Sequence, residues 1–160
     1  MSNFSTSNIK DMSSLFENCE SLSYLNLKNL DTSKVKKMKK MFNNCISLTS
    51  LDLKDFDTKN VEHMGRMFQN CSSLVSLDLS SFSTENVTDF DYMFAYNENL
   101  LSLDMSSFNT LNSNKFKDLF EGCYNLTVTL VEEKCHNIIS SIPDYVKINY
   151  VDTDITSFFQ

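Results

Sequence analysis

Phe16, Phe42, Phe68, Phe94 and Phe120 stand twenty-six residues apart, each closing a Leu-Phe or Met-Phe pair. A fixed period between about 20 and 50 residues marks a repeat array, because one short unit cannot bury its own apolar face and must stack on a neighbour. The 160-residue chain therefore reads as one elongated repeat domain of about five units. Disorder is excluded, since 41% of the residues are apolar and they keep strict periodicity. With two glycines and one proline, the turns fall to Asn, Asp, Ser and Thr.

The cleanest unit runs from Val61 to Asn86 and carries two periods. Val61, Met64, Met67, Phe68 and Cys71 recur at steps of three and four, which predicts one face of a short helix. Leu77 and Leu79 alternate with polar residues after Leu74, which predicts a short strand with one buried face. The expected architecture is an α/β repeat, a solenoid with a parallel sheet on one face and short helices on the other. Asn18, Asn44, Asn70 and Gly122 share the register where such a helix would stop, being residues that tolerate left-handed backbone. Thr32, Thr58, Thr84 and Thr110 precede each helical face and are expected to cap it. Tyr96 and Asn97 break the Asn and Cys registers, so a local distortion is expected in the fourth unit.

Phe4, Thr6 and Ile9 match Leu30, Thr32 and Val35, so the chain enters in mid-repeat. The solenoid is expected over residues 1–130. Residues 131–160 match nothing upstream and are expected to form a C-terminal cap, with Ile138, Ile139 and Ile142 on a short helix ending at Pro143 and Val146, Ile148 and Tyr150 on a strand.

The stretches 22–27, 48–53 and 74–79 follow the Leu-x-x-Leu-x-Leu strand signature of leucine-rich repeats. The longer pattern Asn-Val-x-x-Met-x-x-Met-Phe-x-x-Cys-x-x-Leu-x-x-Leu-Asp-Leu-x-x-Phe-x-Thr closely resembles the BspA-like leucine-rich repeats of bacterial surface proteins and mycoplasma surface lipoproteins. The resemblance covers residues 1 to about 130. It implies a right-handed leucine-rich-repeat-like solenoid and a surface-exposed adhesion or interaction role.

A net charge of −7 and a pI near 4.7 exclude general nucleic-acid binding, which needs a basic surface. The N-terminus has no basic start and no apolar run, and the chain shows no membrane-spanning stretch. Ten of the fourteen basic residues lie between Lys10 and Arg66, and an acidic stretch follows. That polarity also suits self-association through the exposed ends of the solenoid.

Two candidate surfaces stand out. Asp52, Asp78 and Asp104, with Asn26 ahead of them, form a ladder on the polar strand face beside Ser50, Ser76 and Ser102. With Tyr24 they outline a face for a protein ligand, and like charges about 5 Å apart would welcome a cation or a basic partner, while a solvated ladder relieved locally by Lys28 and Lys54 is the plainer reading. Lys34, Lys36, Lys37, Lys39 and Lys40 form a basic patch for an anionic partner, and a solvated outer face is the plainer reading. Cys19, Cys45, Cys71 and Cys123 continue the apolar face and read as buried thiols, and Cys135 beside His136 lacks further ligands. No catalytic constellation, cofactor motif or metal set is visible. The reading is a non-catalytic protein-binding or adhesion module of a surface or secreted protein, with an intracellular interaction or immunity-type protein of the same fold as the alternative.

Overall fold

The structure is a computed structural model that describes residues 6–151; Phe4 and the extreme C-terminus lie outside the described residues. It is an α/β chain with one four-stranded parallel sheet and one short α-helix. The strands β1 (Ser76–Asp78), β2 (Ser102–Asp104), β3 (Thr127–Leu130) and β4 (Lys147–Tyr150) lie in sequence order. Leu77, Leu103, Val128 and Ile148 are in register. Strand alternation sends Leu77, Leu103 and Val128 into the core and leaves Ser76, Asp78, Ser102 and Asp104 exposed. Residues 22–27 and 48–53 point their leucines the same way but form no strand. Among the described residues no backbone hydrogen bond joins these two stretches, so the sheet begins only in the third unit.

The expected helices on the opposite face do not form. Each unit there makes two successive four-residue turns, and in the first four units alternate amides bond along the stack instead of back along the chain. In the third unit Met67 N–H donates to the Met64 carbonyl, while Met64, Arg66, Phe68 and Asn70 donate to Asp89, Asp91, Met93 and Ala95 of the next unit. Turns of this kind need positive φ at their third residue. Arg66 (φ 61°) and Asn70 (φ 55°) supply it here, as Lys40, Asn44, Tyr92, Tyr96, Asp118 and Gly122 do in other units. The predicted Asn and Gly register is thus left-handed, but it closes turns. A turn repeats its inward residue every three positions, so Val61, Met64 and Met67 are buried as they would be on a helix. For Lys40, Arg66 and Tyr92 the left-handed backbone costs about 1–2 kcal/mol each, offset by the turn and stack hydrogen bonds.

Side-chain columns fill the interior. Phe16, Phe42, Phe68, Phe94 and Phe120 stack face to face with centroids 5.5, 5.7, 5.9 and 5.7 Å apart. The threonine column is buried and does not cap helices. Thr58 Oγ1 donates to the Ser83 carbonyl at 2.9 Å and accepts the Ser83 N–H at 2.8 Å, stitching one unit to the next. Thr32 and Thr84 repeat this with Asp57 and Asn109. After β3 the chain forms α1 (Glu132–Cys135) and a 3-10 helix, His136–Ser141, where the sequence suggested one short helix, and β4 then extends the sheet.

Candidate functional site

The polar face of the strands is built by a repeated turn. At the end of β1, Asp78 Oδ1 accepts the Ser80 N–H at 2.9 Å, and after β2 Asp104 Oδ1 accepts the Ser106 N–H at 2.8 Å. Asp52 receives Lys54 N–H at 3.3 Å, and Asn26 receives Lys28 N–H at 3.2 Å. The ladder therefore has a structural task that Asn performs as well as Asp. The Ser80 amide and hydroxyl hold the Asp78 carboxyl below the usual range, against the opposing field of Asp52. Lys54, whose ammonium lies 3.1 Å from Asp52 Oδ2, lowers Asp52 in the same way.

The structure gathers the candidate residues of this face into two hollows. Tyr24, Asn26, Ser50 and Asp52 line a cleft of about 210 Å³ between the first two units, together with Leu25, Leu51, Asp55 and Phe56. Its walls are the two stretches without mutual backbone hydrogen bonds. Ser76, Asp78, Ser102 and Asp104 border a shallower hollow with Thr129. Sequence reasoning missed the exposed apolar residues beside the sheet, Val75 (50% exposed) and Leu101 (53%). The signal was there: the same register holds Ser23 and Thr49 in the first two units.

The basic patch lies on the turn face, and each of its lysines is engaged by another unit, four by an adjacent one and Lys39 by the unit after next. Lys34 Nζ donates to Asn8 Oδ1 at 2.8 Å. Lys36 pairs with Glu62 at 2.7 Å, Lys40 with Glu17 at 3.0 Å, and Lys37 and Lys39 with Asp11 and Asp89 at 3.7 Å. These pairs neutralise much of the local positive field. Farther along the same face, Arg66 sits 4.1 Å from the Tyr92 ring centre, with Lys117 5.5 Å away.

The cysteine column is inert in character. Cys45, Cys71, Cys123 and Cys135 are buried, Cys19 is half-buried, and all are free thiols. Cys71 Sγ donates to the Phe42 carbonyl at 3.1 Å, and Cys45 and Cys123 make the same contact to Phe16 and Phe94. Burial pushes the Cys71 thiol up to about 12 and those of Cys45 and Cys123 to about 11, away from the thiolate that nucleophilic or metal-binding chemistry requires. Cys135 joins the column through the Phe108 carbonyl at 3.5 Å. The fourth unit is not distorted: Tyr96 keeps the left-handed turn (φ 62°) and the Asn97 amide takes the thiol's place. His63 forms single bridges to Lys37 and Asp89 within the turn ladder.

Among the described residues no group of three or more His, Cys, Asp or Glu side chains converges to hold a metal ion, and no helix is long and apolar enough to cross a membrane. No curated protein and no solved structure matches the chain. A protein family does, over residues 1–78 and again over 53–156, the overlap being what a repeated unit produces. The chain belongs to that family, described as "Mycoplasma protein of unknown function, DUF285".

Proposed function

We propose that the chain is a non-catalytic protein-binding or adhesion module, a right-handed leucine-rich-repeat-like solenoid of the BspA-like kind, which engages its partner through the strand face. One observation carries this reading. The cleft between the first two units is walled by strand-like backbone whose amides have no partner across it, and Tyr24, 71% exposed, stands at its rim. Unpaired strand backbone next to an exposed aromatic is what an extended polypeptide uses to dock, main chain for affinity and side chains for selection. Val75 and Leu101 continue the same face with apolar contact area. The raised thiols and the ion-paired lysines support a binding role over a chemical one.

The test is selection of a random-sequence peptide display library on the full chain. Selected peptides should lose at least about tenfold in affinity, or about 1.4 kcal/mol, on Tyr24→Ser or Leu101→Ser, and should bind Lys36→Ser on the turn face unchanged. A library that yields no binder, or binders sensitive only to Lys36→Ser, refutes the reading.

A further inference from the structure

Tyr96 of the fourth unit, Tyr124 of the fifth and Tyr145 of the C-terminal segment meet around Gly122. Gly122 holds left-handed backbone (φ 76°), and a Cβ there would stand 2.9 Å from Tyr96 Cδ1, so the Tyr96 ring lies against it. The Gly122 N–H donates to the Tyr145 hydroxyl at 3.2 Å, and that hydroxyl donates to Glu121 Oε2 at 3.3 Å. The Tyr124 ring completes the group, its centroid 5.1 Å from that of Tyr145 and its plane tilted by 50°. All three side chains reach solvent: Tyr124 is 60% exposed, Tyr96 42% and Tyr145 37%.

The group lies along one edge of the sheet. Tyr124 and Tyr145 precede the parallel strands β3 and β4 by three and two residues, as the exposed Val75 and Leu101 immediately precede β1 and β2. Tyrosines with an apolar body and a polar tip, left open beside aliphatic side chains, are typical of contact surfaces.

Charge selects what would cover them. Glu121 is half-buried, and Glu98 is exposed in the fourth unit at the register that Tyr124 holds in the fifth. Among the described residues neither carboxylate has an ion-pair partner. No lysine or arginine occurs between Arg66 and Lys115 to supply one locally. Tyr92, on the turn face, shows the satisfied arrangement, with the Arg66 guanidinium 4.1 Å from its ring centre and Lys117 at 5.5 Å. Among the described residues no cation lies over Tyr96, Tyr124 or Tyr145. A ring face attracts a cation through its quadrupole, and a planar guanidinium can stack on the ring while bonding a carboxylate.

We infer that this edge seats an arginine side chain of a basic protein partner, its guanidinium lying on the Tyr124 and Tyr145 rings and paired with Glu121. The arginine comes from a different protein, because this chain's single arginine, Arg66, is already held by Tyr92 and by Gln69 Oε1 at 3.0 Å. Other occupants fit less well. A sugar ring stacks on a flat aromatic platform, which two rings tilted by 50° do not make. An anion would meet both Glu98 and Glu121. The inference rests on the chain being a protein-binding module and adds a contact that shares no residue with the cleft at Tyr24.

Titration of the isotope-labelled full chain with the end-blocked peptide Gly-Gly-Arg-Gly-Gly, followed by NMR, tests it. The same peptide with citrulline in place of arginine is the uncharged control. The arginine peptide should shift the amides of Tyr96, Gly122, Tyr124 and Tyr145 with a dissociation constant of about 1 mM, and the citrulline peptide should bind at least about tenfold more weakly. Tyr124→Ser and Glu121→Gln should each weaken the arginine peptide at least about threefold. Circular dichroism checks that both variants are folded, and Glu121→Gln keeps an acceptor for the Tyr145 hydroxyl. Tyr24→Ser, which strips the strand-face cleft of its aromatic, should leave arginine binding unchanged, so the two sites fail separately. No shift at these amides with about 10 mM peptide, equal binding of the citrulline peptide, wild-type binding by Tyr124→Ser or Glu121→Gln, or binding lost on Tyr24→Ser would each overturn the inference.

Discussion

The Asn97 side-chain amide donates to the Phe68 carbonyl at 2.9 Å, the position that the Cys71 thiol holds against Phe42, at 3.1 Å, one unit earlier. It also reaches the Phe94 carbonyl at 2.6 Å. The substitution leaves one flaw: Asn97 Oδ1 is the one buried side-chain polar atom among the described residues without a hydrogen-bond partner. A buried acceptor without a partner costs about 1–3 kcal/mol. Asn97→Cys restores the column and removes the orphan, so it should stabilise the fold by about 1 kcal/mol in urea unfolding. A loss of that size would show that the second amide bond outweighs the orphan.

How far this fold could be read beforehand depends on which signal each feature left. Phe42, Phe68 and Phe94 were legible as core because burial alone demands their spacing. The local backbone was not, because a step of three satisfies a tight turn and a short helix alike, and over Val61, Met64 and Met67 the two periods barely diverge. Thr58 illustrates the same limit. A hydroxyl ahead of an apolar run suits a helix cap, yet its bonds go to Ser83, twenty-five residues away. On the candidate face Ser76, Asp78, Ser102 and Asp104 were placed by strand alternation. The gap between the first two units had no such cue, since 22–27 and 48–53 carry the same leucines as the paired strands.

The phenylalanine column should weaken unevenly along its length. Phe68 lies between Phe42 and Phe94 at 5.7 and 5.9 Å and is fully buried. Phe68→Ala should cost about 3–5 kcal/mol. Phe16, half-buried with one stacking neighbour, should cost no more than about 2 kcal/mol on truncation. Equal losses in urea unfolding would mean that the column does not act as the stack it resembles.

Gly65 is needed for its lack of a side chain. A Cβ there would stand 2.8 Å from Asp89 Oδ1, and Asp89 is buried, accepts the Asp91 N–H at 3.1 Å and pairs with Lys39 at 3.7 Å. Gly65→Ala must displace that carboxylate and should destabilise by about 1–3 kcal/mol. If the clash with Asp89 is the cause, Asp89→Ala combined with Gly65→Ala should be less destabilising than the sum of the two single changes. Additive losses would place the strain elsewhere.

Acid sensitivity follows from the aspartate turns. Hydrogen bonds from Ser33 hold Asp31 below its ordinary value of 3.8, as Lys54 does for Asp52 and Ser80 for Asp78. A carboxyl lowered in the folded state adds stability that is fully present above the unfolded value, and this is lost as pH falls through the lowered folded value. The urea midpoint should therefore be level between about pH 7 and pH 5 and fall below about pH 4. Asn keeps the Oδ1 acceptor without a titrating proton, and Asn26 already fills that role with the Lys28 N–H at 3.2 Å. Replacing Asp31, Asp52 and Asp78 by Asn together should leave the midpoint at pH 7 nearly unchanged and flatten the acid limb. An acid limb as steep as wild type would move the origin of the sensitivity away from these turns, to pairs such as Lys36 with Glu62, whose carboxyl is held low by that lysine.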